Sequence, residues 1–102
     1  HILKPSFLST IRKKGDFFKE RLNNLLDTFP EQISEVRGRG LMLGLKCVNN
    51  NVDLIDMCRK EKLLLVPAAS NTVRILPPLN ITYKEIEEAI MRLNRALSKM
   101  RK

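Results

Sequence analysis

Apolar residues at three- and four-residue steps predict a long amphipathic helix near the start of the chain. Its stripe, over residues 7–29, consists of Leu8, Ile11, Phe18, Leu22, Leu25 and Phe29. Ser6 is the expected N-cap after Pro5, and Pro30 ends the helix. Gly15 occupies the one interrupted position of the stripe. It costs about 1 kcal/mol relative to alanine in a helix, but it lets another backbone come close.

The same spacing predicts a second long helix at the end of the chain, and its start is well defined. Thr82 and Glu85 have the spacing of a capping box, and Ile81 can pack against Ile86 as a hydrophobic staple. The apolar stripe consists of Ile86, Ile90, Leu93, Leu97 and Met100. A shorter helix is predicted in "NNNVDLIDMCRKE", where asparagines can cap the start and acidic residues precede basic ones.

A period of two predicts the first pair of strands. In the segment 41–47, Leu41, Leu43, Leu45 and Cys47 alternate with Met42, Gly44 and Lys46. A shorter strand is expected near residues 33–37. Gly38 and Gly40 lie between the two segments and predict a turn or a bulge there.

Two short apolar runs predict the second pair of strands. The run "KLLLVPAA" is expected to stop at Pro67, and the run "TVRIL" is stopped by Pro77 and Pro78. "PAASN" is predicted to be the loop between them. The resulting order is helix, strand, strand, helix, strand, strand, helix. This order favours an α+β fold with a small, mostly antiparallel sheet and helices packed on one face.

Length and composition indicate one globular domain over residues 1–102. Hydrophobic residues make up 43% of the chain and charged residues 29%, which is typical of a folded protein and not of a disordered one. No apolar run approaches the roughly 20 residues of a membrane helix, so no membrane partner is expected. Residues 1–30 also lack the pattern of a signal peptide, and a cytoplasmic location is expected by default.

The sequence offers few groups for catalysis or metal binding. Cys47 and Cys58 have neither the spacing of paired zinc ligands nor that of a redox C-x-x-C motif, and both are expected to be reduced. His1 is the only histidine, which excludes a histidine-based metal site and Ser-His or Cys-His catalysis within this chain. No metal site is therefore predicted. Because the chain begins at His1 and not at methionine, we expect it to be part of a longer protein.

The net charge of +8 could attract polyanions without specificity. The basic residues are spread along the chain, however, and their densest clusters are residues 12–14 and the C-terminal Lys99, Arg101 and Lys102. Phe17, Phe18 and Tyr83 lack the spacing of a base-stacking strand motif. No nucleic-acid partner is therefore expected.

Arg74 is an unusual residue for its position, because it lies between Val73 and Ile75 in a short apolar strand. The alternation of a strand places Arg74 on the side opposite these two neighbours. If Val73 and Ile75 face the helices, Arg74 points away from the core. Periodicity alone leaves two interpretations open: a solvated or ion-paired surface arginine, and a ligand-binding residue.

The segments "EVRGRGLMLGLK" and "LLLVPAASNTVRILPPLNIT", together with the capped last helix, resemble one known family. They are similar to the C-terminal small domain of class III pyridoxal-phosphate aminotransferases. Within that class the likeness is strongest to the acetylornithine type, while the ornithine and 4-aminobutyrate types share much of the pattern. The resemblance covers nearly the whole chain.

The resemblance implies a fold-type I enzyme that transfers an amino group between N-acetylornithine and 2-oxoglutarate in arginine biosynthesis, as a homodimer with pyridoxal phosphate. It also implies that Arg74 binds the substrate carboxylate. The Schiff-base lysine and the other cofactor-binding residues of this family belong to the large domain. We therefore expect this chain to contain no catalytic and no cofactor-binding residue, and to bind no pyridoxal phosphate by itself.

Two alternatives of another class stay open from the residues alone. One is a free-standing α+β module that binds nucleic acid through its positive charge. The other is an amino-acid-sensing domain, which could also use a strand arginine against a carboxylate.

Overall fold

The computed structural model describes residues 4–101, which form three helices and four strands. In chain order these are α1 (Pro5–Thr28), β1 (Ile33–Arg39), β2 (Met42–Cys47), α2 (Asn51–Lys60), β3 (Val66–Ala68), β4 (Thr72–Ile75) and α3 (Tyr83–Met100). The predicted α+β class and the predicted element order are both confirmed. His1 and Lys102, which the sequence analysis discussed, lie outside the described residues.

The four strands form one antiparallel sheet in the order β1-β2-β4-β3. Helix α1 packs against β1 and β2, α2 packs against β3 and β4, and α3 packs against both other helices. The sheet face that meets the helices is called the inner face below, and the opposite face is called the outer face.

The inner face of the sheet is part of a single hydrophobic core. Leu43 and Leu45 of β2 and Val73 and Ile75 of β4 are all buried there. The helices contribute the larger share of the core, including Phe18, Leu22, Leu25, Leu54, Ile86, Leu93 and Leu97. Burial of this apolar surface, at roughly 25 cal/mol per Å², is the main force that holds helices and sheet together.

The predicted close approach at Gly15 is confirmed. A Cβ atom placed on Gly15 would lie 2.4 Å from the carbonyl oxygen of Gly40, which is far inside van der Waals contact. Helix α1 therefore lies directly against the turn that joins β1 to β2. The gap in the apolar stripe is the place where the two backbones meet.

The helix ends agree with the sequence prediction at α2 and α3 but not at α1. The side chain of Asn50 accepts a hydrogen bond from the Val52 amide at the start of α2. At the start of α3 both hydrogen bonds of the Thr82–Glu85 capping box are present. The prediction of Ser6 as N-cap of α1 is wrong. Helix α1 already begins at Pro5, because proline fits the first helical turn, where its missing N–H costs nothing.

The first hairpin differs from its prediction in two details. Strand β1 continues to Arg39 instead of ending near residue 37, and the turn consists of Gly40 and Leu41. The bulge lies at the other end of β1, between Ile33 and Glu35. Leu41 is buried and anchors the turn, which explains why the alternating apolar pattern began one residue before β2.

The third strand was predicted to stop at Pro67, and this prediction is wrong. Pro67 lies in the middle of β3, opposite Val73, while residues 63–65 belong to no strand. β3 is an edge strand, and an edge strand tolerates a proline because one side of it has no strand to receive an N–H hydrogen bond.

Within residues 4–101, no helix has the length and apolar character needed to cross a membrane.

Candidate functional site

The outer face of the sheet carries one cross-strand row of four residues. In the strand register, Arg37 of β1 lies opposite Gly44 of β2, Gly44 opposite Arg74 of β4, and Arg74 opposite Val66 of β3. Residues that lie directly opposite each other in an antiparallel sheet point to the same face. Arg37 and Arg74 therefore project from the same side of the sheet, on either side of a glycine.

Arg74 is exposed, whereas Val73 and Ile75 on either side of it are buried in the core. The structure thus places Arg74 on the outer face, as the alternation of its strand predicts. Among residues 4–101, no carboxylate lies within ion-pair distance of its guanidinium. The charge and the hydrogen-bond donors of Arg74 are consequently available to a ligand.

Arg37, the second cation of the row, is oriented by an acidic neighbour on its own strand. The Nε atom of Arg37 donates a hydrogen bond to the Oε2 atom of Glu35 over 2.9 Å. The two terminal nitrogens of the same guanidinium form no hydrogen bond with the residues that the structure describes. Sequence reasoning missed Arg37, since only the register of β1 against β2 and β4 brings it into line with Arg74.

A cavity of about 320 Å³ opens on the outer face at this row. Arg37, Gly44 and Arg74 contribute to its lining, and Met42 and Thr72 extend the lining along their strands. The β3–β4 turn closes one side of the cavity through residues 68–70. The site is therefore a shallow concave surface with arginines on two sides and a mostly uncharged floor.

Asn71 fixes the β3–β4 turn beside the cavity. Its Nδ2 atom donates to the Cys47 carbonyl oxygen over 2.9 Å, and its Oδ1 atom accepts from the Asn51 amide over 2.8 Å. Asn51 in turn donates from its side chain to the Thr72 carbonyl oxygen over 3.0 Å. The sequence analysis predicted only a loop here, and these hydrogen bonds tie that loop to the end of β2 and the start of α2.

The groups that line the cavity can bind an anion through the two arginines. Among the described residues, no lysine lines the cavity, and neither does any aspartate or glutamate. The described residues also contain no cluster of side chains that could hold a metal ion. These residues do not fit pyridoxal phosphate by themselves, because that cofactor requires a lysine for its Schiff base.

The two cysteines take no part in the site. Both are buried and unpaired. Burial raises the pKa of the Cys47 thiol to about 11 and, together with the neighbouring Cys47 and Glu61, that of Cys58 to about 12. At neutral pH both thiols are protonated and pack as small apolar side chains, as the sequence predicts.

On the helical side of the molecule, cations are paired with acidic residues. Glu61, whose side chain is only 8% exposed, accepts a hydrogen bond from Lys99 and lies 3.9 Å from Arg95. The hydrogen bond from Lys99 and the surrounding positive charges lower the pKa of the Glu61 carboxyl. Arg92 pairs with Glu88 over 2.7 Å. Arg74, in contrast, has no acidic partner among the described residues.

Residues 1–97 match the family model described as aminotransferase class III. Acetylornithine aminotransferase 2 of Caulobacter vibrioides is 43% identical over 95 residues, and acetylornithine aminotransferase 1 of Bradyrhizobium diazoefficiens is 44% identical over 95 residues. Each alignment covers 93% of this chain and 24% of the relative. The chain thus spans about a quarter of the length of these relatives.

Solved structures of aminotransferases contain the fold described above. N-acetylornithine aminotransferase from Stenotrophomonas maltophilia matches with a TM-score of 0.85 at 27% identity, over 95% of this chain and 28% of that one. Lysine aminotransferase from M. tuberculosis matches with a TM-score of 0.86 at 29% identity, over 94% of this chain and 22% of that one. The family model, the relatives and the fold together show that this chain belongs to the class III aminotransferases.

Proposed function

We propose that this chain is the C-terminal small domain of an acetylornithine-type aminotransferase, in which Arg74 binds the carboxylate of the substrate. The complete protein would transfer an amino group between N-acetylornithine and 2-oxoglutarate in arginine biosynthesis. The observation that carries this proposal is the position of Arg74, which is exposed, lines a cavity and has no carboxylate partner within the described residues. The names of the relatives support the choice of acetylornithine as the amino donor.

The guanidinium of Arg74 suits this role for two reasons. It presents parallel N–H donors that match the two oxygens of a carboxylate, and it stays charged at every physiological pH. Its strand is anchored in the core by Val73 and Ile75, so the side chain starts from a rigid position. A rigid anchor reduces the entropy that is lost when the carboxylate binds.

The remaining parts of the active site would come from outside this chain. Pyridoxal phosphate acts as an electron sink at the substrate carbon when it is bound, and it needs a Schiff-base lysine. The cavity at Arg74 contains no lysine. We assign that lysine to a large domain in the three-quarters of the relatives' length that this chain does not span. We further propose that the complete protein is a homodimer in the cytoplasm.

The test is the substitution Arg74→Lys in the full-length protein. Lysine keeps the charge but replaces a bidentate contact by a single mobile one. The transition-state stabilisation derived from kcat/KM should therefore fall by about 2 to 4 kcal/mol for every carboxylate substrate. Steady-state kinetics with N-acetylornithine and with 2-oxoglutarate measures the loss. The melting temperature and the absorbance of the bound cofactor should stay nearly unchanged.

Lys46→Ala provides the matched control, since Lys46 lies on the same face of the sheet, one row away, and does not line the cavity. It removes a positive charge from the outer face but should leave kcat/KM within about a factor of two, as expected for a surface substitution. Normal kinetics of Arg74→Lys combined with a clearly lower melting temperature would contradict the proposal. Arg74 would then be a structural residue.

A further inference from the structure

The four glycines of the chain do not have equal structural reasons to be glycine. At Gly15 a Cβ atom would lie 2.4 Å from the Gly40 carbonyl oxygen, and at Gly38 it would lie 1.9 Å from the Met42 carbonyl oxygen. At Gly40 the backbone has a φ of +55°, which side chains rarely adopt. Backbone contacts therefore require glycine at positions 15 and 38, and the backbone conformation favours it at position 40. At Gly44 neither reason applies.

The surroundings of Gly44 leave room for a small side chain. A Cβ atom there would meet the Cγ2 methyl of Thr72 at 3.1 Å and the carbonyl oxygen of Val73 at 3.4 Å. The first contact needs a shift of a few tenths of an ångström, and the second is an ordinary contact. Glycine in the middle of a strand weakens the sheet, and it is often found where a ligand approaches the backbone closely. The fold therefore gives a weaker reason for glycine at position 44 than at the other three positions.

Gly44 and Arg74 line the same cavity. It is directly opposite Arg74 in the register, so the two Cα atoms are about 4.5 to 5.5 Å apart. Arg37 lies at a similar distance on its other side, with its terminal nitrogens free of hydrogen bonds to the described residues. A ligand whose carboxylate is bound by Arg74 would pass over Gly44 if its carbon chain extends toward Arg37.

We infer that Gly44 determines substrate specificity: its missing side chain leaves open the strip of sheet along which the chain of an extended, unbranched amino or 2-oxo acid lies. This inference rests on the proposed role of Arg74. A methyl group at position 44 would raise the floor under the chain but would not reach the carboxylate. Short carboxylates should therefore be tolerated, whereas long ones should be excluded.

The experiment measures ligand binding to the full-length protein without its cofactor by NMR, with acetate as the short probe and N-acetylornithine as the long one. Gly44→Ala should weaken the binding of N-acetylornithine by about tenfold or more. A change of one methylene group in a fitted pocket changes selectivity by about 10- to 200-fold. Acetate should keep its affinity within about twofold. Thermal melting of each variant shows whether the fold is intact.

The double variant Gly44→Ala/Thr72→Ser separates crowding within the fold from crowding of the ligand. Serine removes the methyl that a new Cβ would touch but keeps the hydroxyl that donates to the Ser70 carbonyl oxygen. If the inference is correct, the double variant still discriminates against N-acetylornithine, and Thr72→Ser alone does not. Recovery of N-acetylornithine binding in the double variant would overturn it, and so would an equal loss for both probes.

Arg74→Gln tests the proposed function in the same titration. If it abolishes binding of both probes while Gly44→Ala has no effect that depends on ligand length, the proposed function stands and the inference about Gly44 fails. If Arg74→Gln leaves both affinities unchanged, the proposed role of Arg74 fails and the inference about Gly44 fails with it, even if Gly44→Ala weakens only the long probe. Absence of saturable binding of either probe to the unaltered full-length protein overturns the inference.

Discussion

The two faces of the sheet are built from the same strands but follow different rules. On the inner face, Leu43, Leu45, Val73 and Ile75 are buried against the helices. On the outer face, the row through Gly44 carries two exposed arginines and one large apolar side chain, the partly buried Val66. Burial therefore accounts for the inner residues, whereas the outer ones need an explanation outside the fold. This separation makes it possible to alter stability and ligand binding independently.

The largest expected effect tests that independence directly. Leu45 is fully buried, so Leu45→Ala should lower the free energy of unfolding by about 2 to 5 kcal/mol. Arg74→Ala, on the outer face of the neighbouring strand β4, should change the free energy of unfolding by no more than about 0.5 kcal/mol. Urea unfolding of the two variants measures both values. A loss of several kcal/mol in Arg74→Ala would mean that the outer face also supports the fold.

Gly15 in helix α1 and Gly44 in strand β2 give the next contrast. In an isolated helix, Gly15→Ala would increase the stability of the helix by about 1 kcal/mol. Here the new methyl collides with the Gly40 backbone, and overpacking of this kind costs about 1 to 3 kcal/mol. We expect a net loss of stability for Gly15→Ala and a smaller change for Gly44→Ala, both measured by thermal unfolding. A rise in melting temperature for Gly15→Ala would contradict the close approach of α1 to the hairpin.

The smallest expected effect concerns the paired charges on the helical side. The pKa of the Glu61 carboxyl is lowered in the folded chain by its hydrogen bond with Lys99, so folding favours the ionised form. Its contribution is complete above the ordinary glutamate pKa of about 4.3 and is lost as the pH falls through the lower folded value. Glu61→Gln should therefore be less stable than the unaltered chain at pH 7.

The pH dependence provides the check on this prediction. The difference between Glu61→Gln and the unaltered chain should shrink as the pH falls below about 4, because the carboxyl is protonated first in the unfolded state and, below the lowered folded pKa, also in the folded state. Urea midpoints at several pH values measure it. A difference that stays constant down to low pH would show that Glu61 acts through packing and not through its charge.

The sequence predicted those features that depend on neighbouring residues. The Thr82–Glu85 capping box, the Asn50 cap and the alternation around Arg74 are all local, and the structure contains each of them. The cap of α1 was misplaced because Ser6 has the composition of a cap, whereas Pro5 has the backbone geometry of a first turn. Local patterns thus predict an element with more certainty than they predict its ends.

Features that depend on strand pairing could not be predicted from the sequence. Arg37 and Arg74 are far apart along the chain, and only the register of β1, β2 and β4 aligns them with Gly44. The hydrogen bonds of Asn71 to Cys47 and Asn51 also join distant segments. Pro67 was interpreted as a strand end, because the position of β3 at the edge of the sheet is not visible in a single sequence.

The two edges of the sheet differ in their capacity to recruit a further strand. β3 has three residues and a central proline, which offers no N–H to an incoming chain, whereas β1 has seven residues and no proline. Strand addition, whether from another segment of the protein or during aggregation, is therefore directed to β1. The charged side chains of Glu35, Arg37 and Arg39 on that strand act against uncontrolled pairing of identical edges. Neutral replacements there would make the chain more prone to form fibrils.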